Sequence, residues 1–280
     1  MASRLSWQYR VPAIECCLHS ELTVNTLFRS IDIEAHQLIV REMNIKGSSC
    51  VSNFLTPEQL NLLQDYVRTD AEKHNSRYFA HHDGIALESS LLGVLSATPE
   101  FRKLLESIYQ QATGEPAHSD QILKVLRCVQ GKTGRRESNC FHYDASLVTV
   151  LLPIEIPQDG VARGDLIMFP NLRQIRSSVL LNILEKALLQ NVLSRMLITV
   201  AIRQHVLRPE KLQLVPGNLY LFWGYRTLHA NEPCDPVSRR ATAIFHYGDP
   251  HAGSLATRLI LKLNQRRARR ATELGTQPIA

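Results

Sequence analysis

The first chemical suggestion in this sequence is Phe141-His142-Tyr143-Asp144, which sets an imidazole and a carboxylate two residues apart. In extended backbone, side chains two apart point the same way, so both groups can address one point. His229 follows 85 positions after Asp144, in Trp223-Gly-Tyr-Arg-Thr-Leu-His229-Ala-Asn, just beyond an apolar run that reads as a strand. Two imidazoles and one carboxylate on one face of an octahedral Fe(II) leave three positions open. Those positions can take two oxygens of a 2-oxo acid and then O2. Arg240 stands 11 positions after His229 at the start of another strand-like run, and Thr242 shares its side. A guanidinium in a small barrel mouth is costly without an anion, and a bidentate carboxylate offsets that cost. The far carboxylate of 2-oxoglutarate is such an anion, with the Thr242 hydroxyl as a second donor. Arg239 faces the other way, and a one-residue bulge would exchange the two arginines.

These groups need a frame that brings distant segments together. From Ile122 onward the chain is a series of short apolar runs: Ile122 to Val129, Asn139 to Asp144, Leu147 to Ile154, Gly164 to Pro170, Gly217 to Phe222 and Ala241 to His246. Gly or Pro punctuates nearly all of them, which is how strands are bounded. Short strands that close on themselves form a barrel or jelly roll and leave few open edges. The strand–helix alternation of a doubly wound sheet is missing. Two helices are predicted ahead of the barrel. Thr56-Pro57-Glu58-Gln59 opens one, with Leu60, Leu62, Leu63 and Val67 as its apolar face to about Glu72. Thr98-Pro99-Glu100-Phe101 opens the other, with Phe101, Leu104, Leu105 and Ile108, ending near Gly114. Gln37 to Arg41 reads as a strand. The interval from about Ser177 to His205 reads as a helix or helical pair, with Leu180, Leu184, Leu188, Leu189, Val192, Leu193, Met196, Leu197 and Val200 apolar. That face is expected to pack on the barrel, with a homodimer contact or a lid over the site as the alternative uses.

The ordered set His142-Tyr-Asp144, His229 and Arg240 resembles the Fe(II)/2-oxoglutarate-dependent oxygenases. Their double-stranded β-helix carries H-x-D, a distal His and an Arg about ten residues later. The distal segment, H-A-N-x-P and then R-R-A-T-A-I-F-H-Y, looks most like the branch related to phytanoyl-CoA and ectoine hydroxylases. Asn53-Phe-Leu-Thr-Pro-Glu-Gln is similar to the usual lead-in of such enzymes. The resemblance implies a mainly β fold with flanking helices, built on a double-stranded β-helix (jelly-roll, cupin-like) core with a helical insertion. The resemblance covers about residues 50–250; one oxygenase domain is expected over 1–280, with helical support at about 50–120 and a barrel core at about 122–250. The insertion falls at about 175–210, and 258–280 form a basic C-terminal tail. It also implies Fe(II) held by His142, Asp144 and His229, with 2-oxoglutarate held by Arg240 and Thr242 and O2 as the second cosubstrate. The activity implied is oxidation, most often hydroxylation, of an unactivated C–H; desaturation and ring closure use the same ligands. Related halogenases replace the metal-binding Asp with Gly or Ala, whereas Asp144 is present here. The long helical interval departs from the family pattern and leaves the substrate open.

The remaining sequence bounds the partners. At 44% apolar and 21% charged over 280 residues, the chain is neither disordered nor a simple coiled coil. Its net charge of +6 resides almost wholly in the tail, where Arg258, Lys262, Arg266, Arg267, Arg269 and Arg270 face only Glu273. The nearly neutral body argues against nucleic acid, and a small molecule such as an amino acid or natural-product intermediate is the expected substrate. A nucleic-acid demethylase and a non-catalytic binding barrel are the competing readings. No secretory h-region opens the chain, and Val179 to Ile202 is interrupted by Glu185, Lys186, Asn191 and Arg195, so no membrane span is expected. Of six cysteines, Cys16 and Cys17 are adjacent and Cys50, Cys128, Cys140 and Cys234 are scattered without C-x2-C spacing, which suits free thiols in a reducing cytoplasm. His81-His82-Asp83 reads as a solvated turn or a lid, Arg127 as a candidate substrate contact, and Trp223 and Tyr225 as core or pocket wall. Cys140 has the strand parity of His142.

Overall fold

The structure is a computed structural model that describes residues 28–134, 137–158 and 162–252. The basic tail and Cys16-Cys17 lie outside the described residues. Helix α1 (Ile33–Ile45) occupies the stretch in which Gln37 to Arg41 suggests a strand. Its buried residues are His36, Ile39, Val40 and Met43, a spacing of i, i+3, i+4 and i+7. That helical period outweighs the local β preference of adjacent Ile39 and Val40. Strand β1 (Ser48–Val51) then leads to α2 (Pro57–Lys73). Thr56 Oγ1 accepts from the Gln59 N–H, and Gln59 Oε1 accepts from the Thr56 N–H, closing a capping box with Pro57 at the first turn. Leu63, Val67 and Ala71 form the buried stripe of α2, while Leu62 faces solvent, against the expectation for it.

Strand β2 (Phe79–His82) and the short helices α3 (Ile85–Glu88) and α4 (Leu91–Ala97) precede α5 (Pro99–Thr113). Helix α5 buries Phe101, Leu104, Leu105 and Ile108 and stops at Gly114, whose φ of 79° is left-handed and suits glycine. The barrel strands follow: β3 (Leu123–Val129), one helical turn α6 (Gly131–Gly134), β4 (Val148–Glu155) and β5 (Leu166–Phe169). The apolar interval is a pair of helices, α7 (Val179–Leu189) and α8 (Val192–Arg203). Asn191 breaks them and caps the second by accepting from the Ser194 N–H. Strands β6 (Glu210–Leu212), β7 (Leu219–Trp223), β8 (Leu228–Asn231) and β9 (Arg240–Tyr247) complete the order.

Two antiparallel sheets result, one of six strands in the order β1-β7-β4-β9-β3-β2 and one of three, β6-β5-β8. Two-residue periodicity sorts their side chains. Val148, Val150 and Leu152 of β4 and Ala241, Ala243 and Phe245 of β9 face the layer of α1, α2, α4 and α5. The alternate positions face the other sheet, where Leu151, Tyr220 and Phe222 pack against Leu166 and Met168. The core is therefore a jelly roll with helices flanking it, as the sequence implies. Asn139 to Asp144 does not form a continuous strand. Asn139 has a φ of 56°, and only His142 pairs, as a single antiparallel bridge to His229.

Helices α7 and α8 cover the outer face of the smaller sheet through Leu189, Ile198 and Ile202. Of the apolar residues expected to pack there, Leu180, Leu184, Leu188, Val192, Leu193, Met196, Leu197 and Val200 are exposed. The cause is geometric: two amphipathic helices lying on three short strands have more apolar surface than the sheet can cover. Among the described residues, no helix is long and apolar enough to cross a membrane.

Candidate metal centre

The inner faces of β4, β8 and β9 line one cavity with the loop before β4. Strand β8 turns Leu228 and Ala230 outward and His229 inward. The bridge from His142 to His229 is a closely bonded antiparallel pair: each N–H donates to the other's carbonyl, at 3.0 and 3.1 Å. Their rings therefore lie side by side, with centroids 4.3 Å apart. Asp144, two residues on, is tied by its N–H to the Gly224 carbonyl at 3.0 Å. His142, Asp144 and His229 each offer one ligand atom, and all three atoms lie within 4.8 Å of one another. His142 Nε2 is 3.4 Å from Asp144 Oδ1, and His229 Nε2 is 3.6 Å from Asp144 Oδ2. Ligands at about 2.1 Å and right angles around one ion would be about 3 Å apart, so the arrangement accommodates a metal with small adjustments.

The protonation of the set also suits a metal. His142 Nδ1 lies 2.8 Å from the Cys140 carbonyl and His229 Nδ1 lies 3.0 Å from the Thr227 carbonyl. A carbonyl only accepts, so both Nδ1 atoms carry the proton and both Nε2 lone pairs point inward. Cys140 thus contributes its carbonyl to the centre. Burial pushes the His229 pKa down to about 4, against the opposing pull of Asp144, which keeps the imidazole neutral at neutral pH. Burial alone would raise the Asp144 carboxyl; His229, His246 and His142 around it hold it well below the usual carboxylate range. Thr149 Oγ1 donates to Asp144 Oδ2 at 2.5 Å. Having spent its hydrogen there, Thr149 accepts from His246 Nδ1 at 3.3 Å.

Strand β9 delivers the basic end of the cavity. Arg240, Thr242, Ile244 and His246 alternate onto its inner face. Arg240 is 2% exposed; its Nη2 donates to Asn231 Oδ1 at 3.0 Å, while its Nε has no partner among the described residues. The Thr242 hydroxyl is likewise buried and has none among them. Arg239 faces away and binds Glu155 at 2.7 Å. Two orphaned donors beside a buried cation are what an anionic ligand with several acceptor oxygens would satisfy.

Sequence reasoning did not single out Thr149, Asn231 or His246. The parity that joins Arg240 to Thr242 extends to His246, and Asn231 is two residues beyond His229, so both signals are present in the chain. Thr149 has no such mark. Arg127 lines the cavity but binds Glu137 at 2.7 Å. Trp223 and Tyr225 are fully buried in the core outside the cavity, with Trp223 Nε1 donating to Asn44 Oδ1 at 3.0 Å. His81 and His82 end edge strand β2, and are not part of a turn. His81 pairs with Asp70 of α2, and Asp83 accepts from the Lys124 N–H at 2.9 Å, so this cluster braces the sheet edge away from the metal centre.

No known family profile matches the chain, and no curated protein matches it. Solved structures do. A prolyl 4-hydroxylase from Phytophthora capsici matches at 16% identity and a TM-score of 0.52, over 84% of this chain and 72% of that one. The non-heme alpha-ketoglutarate-dependent epimerase SnoN from nogalamycin biosynthesis matches at 15% identity and a TM-score of 0.50, over 78% of this chain and 84% of that one. The chain has the fold of the 2-oxoglutarate-dependent oxygenases. Within that oxygenase fold the likeness extends to a hydroxylase and an epimerase alike, and it does not single out the phytanoyl-CoA and ectoine hydroxylase branch.

Proposed function

We propose that the chain is an Fe(II)- and 2-oxoglutarate-dependent oxygenase acting on a small molecule, with hydroxylation of an unactivated C–H as its reaction. The observation that carries this reading is the convergence of two Nε2 lone pairs and the Asp144 carboxylate in one cavity with the buried, half-satisfied guanidinium of Arg240. His142, Asp144 and His229 are the iron ligands. Arg240 and Thr242 hold the far carboxylate of 2-oxoglutarate, while Asn231 keeps the guanidinium aimed. When bound, iron with 2-oxoglutarate and O2 supplies the oxidation and releases succinate and CO2. The chain's own part is to fix three ligands on one face, to keep the His229 imidazole neutral, and to exclude water from the anion end. Phe222, against the His229 ring at 4.9 Å, and Ile244 supply the apolar wall.

The test is anaerobic titration with Co(II) or Fe(II), followed by succinate analysis with 2-oxoglutarate, O2 and a panel of amino acids and natural-product intermediates. One metal per chain and substrate-stimulated succinate are expected, with 18O from 18O2 in the product and no chlorine from added chloride. Halide has no position while Asp144 occupies the third protein site. A protein that binds neither metal nor 2-oxoglutarate is not this enzyme, and a product two mass units lighter redirects the reaction to desaturation or ring closure. Thr149→Val, which removes the hydroxyl bonded to Asp144, is expected to weaken metal binding about tenfold with little change in fold. Isothermal titration of the metal-free variant measures it.

A further inference from the structure

The loop that carries His142 and Asp144 has little secondary structure of its own. It is tied to β8 by the bridge at His142 and by the Asn139 N–H on the Asn231 carbonyl, to Gly224 and Gly248 by the N–H groups of Asp144 and Leu147, and to Thr149 by the Asp144 carboxylate. What faces it from the other side is α7. Lys186 Nζ donates to the Asp144 carbonyl at 2.9 Å, and Gln190 Nε2 donates to the Tyr143 carbonyl at 3.3 Å. Lys186 and Gln190 are four residues apart, so they lie one turn apart on one face of the helix end.

The intervening Tyr143 is gripped through its ring. The Arg173 guanidinium lies 4.0 Å from the Tyr143 centroid and 4.1 Å from that of Tyr225. Arg173 Nε donates to the Tyr225 carbonyl at 2.7 Å, and Nη1 reaches Glu185 of α7 at 3.1 Å. Arg176 pairs with the same carboxylate. Packing alone does not account for Lys186. An aliphatic residue would fill the space without the cost of partly desolvating an ammonium, a cost offset by the hydrogen bond to Asp144, the Tyr225 ring 6.0 Å away and the Asp144 and Asp249 carboxylates.

We propose that α7 is the positioning element of the metal loop: Lys186 and Gln190 hold the Asp144 and Tyr143 carbonyls, Glu185 holds Arg173 against Tyr143, and His142 and Asp144 keep their metal-binding separation only while α7 is docked. The helical insertion, which departs from the family pattern, is thereby part of the metal centre's support. This inference rests on the metal-centre reading above, and Lys186, Gln190 and Glu185 are positioning residues, since none is a ligand.

The experiment uses the full chain with Lys186→Met, Gln190→Leu, their combination, and Lys186→Arg. Amide hydrogen exchange of the metal-free proteins reports the loop, and Co(II) titration with its visible absorption reports the site. In the double variant, exchange in residues 141–147 is expected to speed up by about tenfold or more, with β4 and β9 beyond the loop unchanged. Co(II) affinity is expected to fall about tenfold, the usual scale for groups that support ligands. Lys186→Arg, which can still donate to the carbonyl, restores most of both. Should the double variant not fold, Gln190→Leu, at the helix end, gives the same two readings on a smaller scale. Unchanged exchange and unchanged affinity in a Co(II)-binding protein overturn the inference and leave the metal centre standing. A wild-type chain that binds no Co(II) overturns both, and its titration alone says so.

Discussion

Gly224→Ala is expected to cost the chain most of its metal affinity while leaving the sheets in place. Gly224 follows β7, and its backbone lies against the Asp144 side chain. A Cβ built there falls inside the van der Waals envelope of both Thr149 Oγ1 and Asp144 Oδ2, and 3.0 Å from Asp144 Cβ. The Asp144 side chain can retreat only into the cavity, at the expense of its present contacts: its oxygens are bonded to Thr149 and face His142 and His229, and its N–H is fixed to the Gly224 carbonyl. The methyl group must therefore displace the carboxylate or part the loop from the turn. Overpacking of this kind costs about 1–3 kcal/mol. If it falls on the bound geometry, that is about a tenfold to hundredfold loss of affinity. Co(II) titration should show that loss, and a thermal melt of the metal-free protein should fall by only a few degrees. Wild-type affinity in the variant would mean that Asp144 is not a ligand, because no rearrangement of the carboxylate leaves its present contacts intact.

This sensitivity to a glycine illustrates what the sequence reveals and what it withholds. The inward-facing residues of β9 are legible because a strand alternates: once Arg240 faces inward, Thr242 and His246 follow. The two helix starts at Thr56 and Thr98 are legible because Thr-Pro-Glu places Pro at the first turn, although only Thr56 caps with its side chain; the Thr98 hydroxyl donates instead to the Leu95 carbonyl. His142 and Asp144 are legible as a pair even though their segment is no strand. One bridge at His142 and one hydrogen bond at Asp144 reproduce the convergence that extended backbone would give. The α1 region misleads because Ile39-Val40 favours a strand residue by residue, whereas its buried positions keep the helical period. The insertion is legible as helical, yet its role is not. Lys186 and Gln190 act on carbonyl oxygens of a loop more than 40 positions away, and a backbone acceptor leaves no mark in a side-chain pattern. Gly224 and Thr149 are silent for the same reason, since their importance arises from a close approach between segments.

Arg240→Ala is expected to remove 2-oxoglutarate binding while sparing the metal. The side chain is 2% exposed, its one hydrogen bond goes to Asn231, and among the described residues no carboxylate pairs with it. Burial, reinforced by nearby Arg127, pushes its pKa down to about 10, so the cation is held at a cost that the protein alone does not offset. The proposed cosubstrate would supply what is missing, and its carboxylate would gain a desolvated, two-pronged partner with the Thr242 hydroxyl beside it. Truncating one partner of such a pair costs about 2–5 kcal/mol, on the order of a thirtyfold loss or greater. Metal affinity should change by less than about threefold, because Arg240 shares no hydrogen bond with His142, Asp144 or His229. Arg240→Lys keeps the charge without the planar fork and should fall between the variant and the wild type. Arg239→Ala should leave 2-oxoglutarate affinity unchanged, since that guanidinium is bound to Glu155 on the opposite face. Titration of 2-oxoglutarate into the Co(II) forms of the wild type and the three variants reads the cosubstrate affinities, and Co(II) titration reads the metal. If Arg239→Ala abolished binding and Arg240→Ala did not, the cosubstrate would lie outside the cavity that holds the metal centre, and the proposed reaction would lose its geometry.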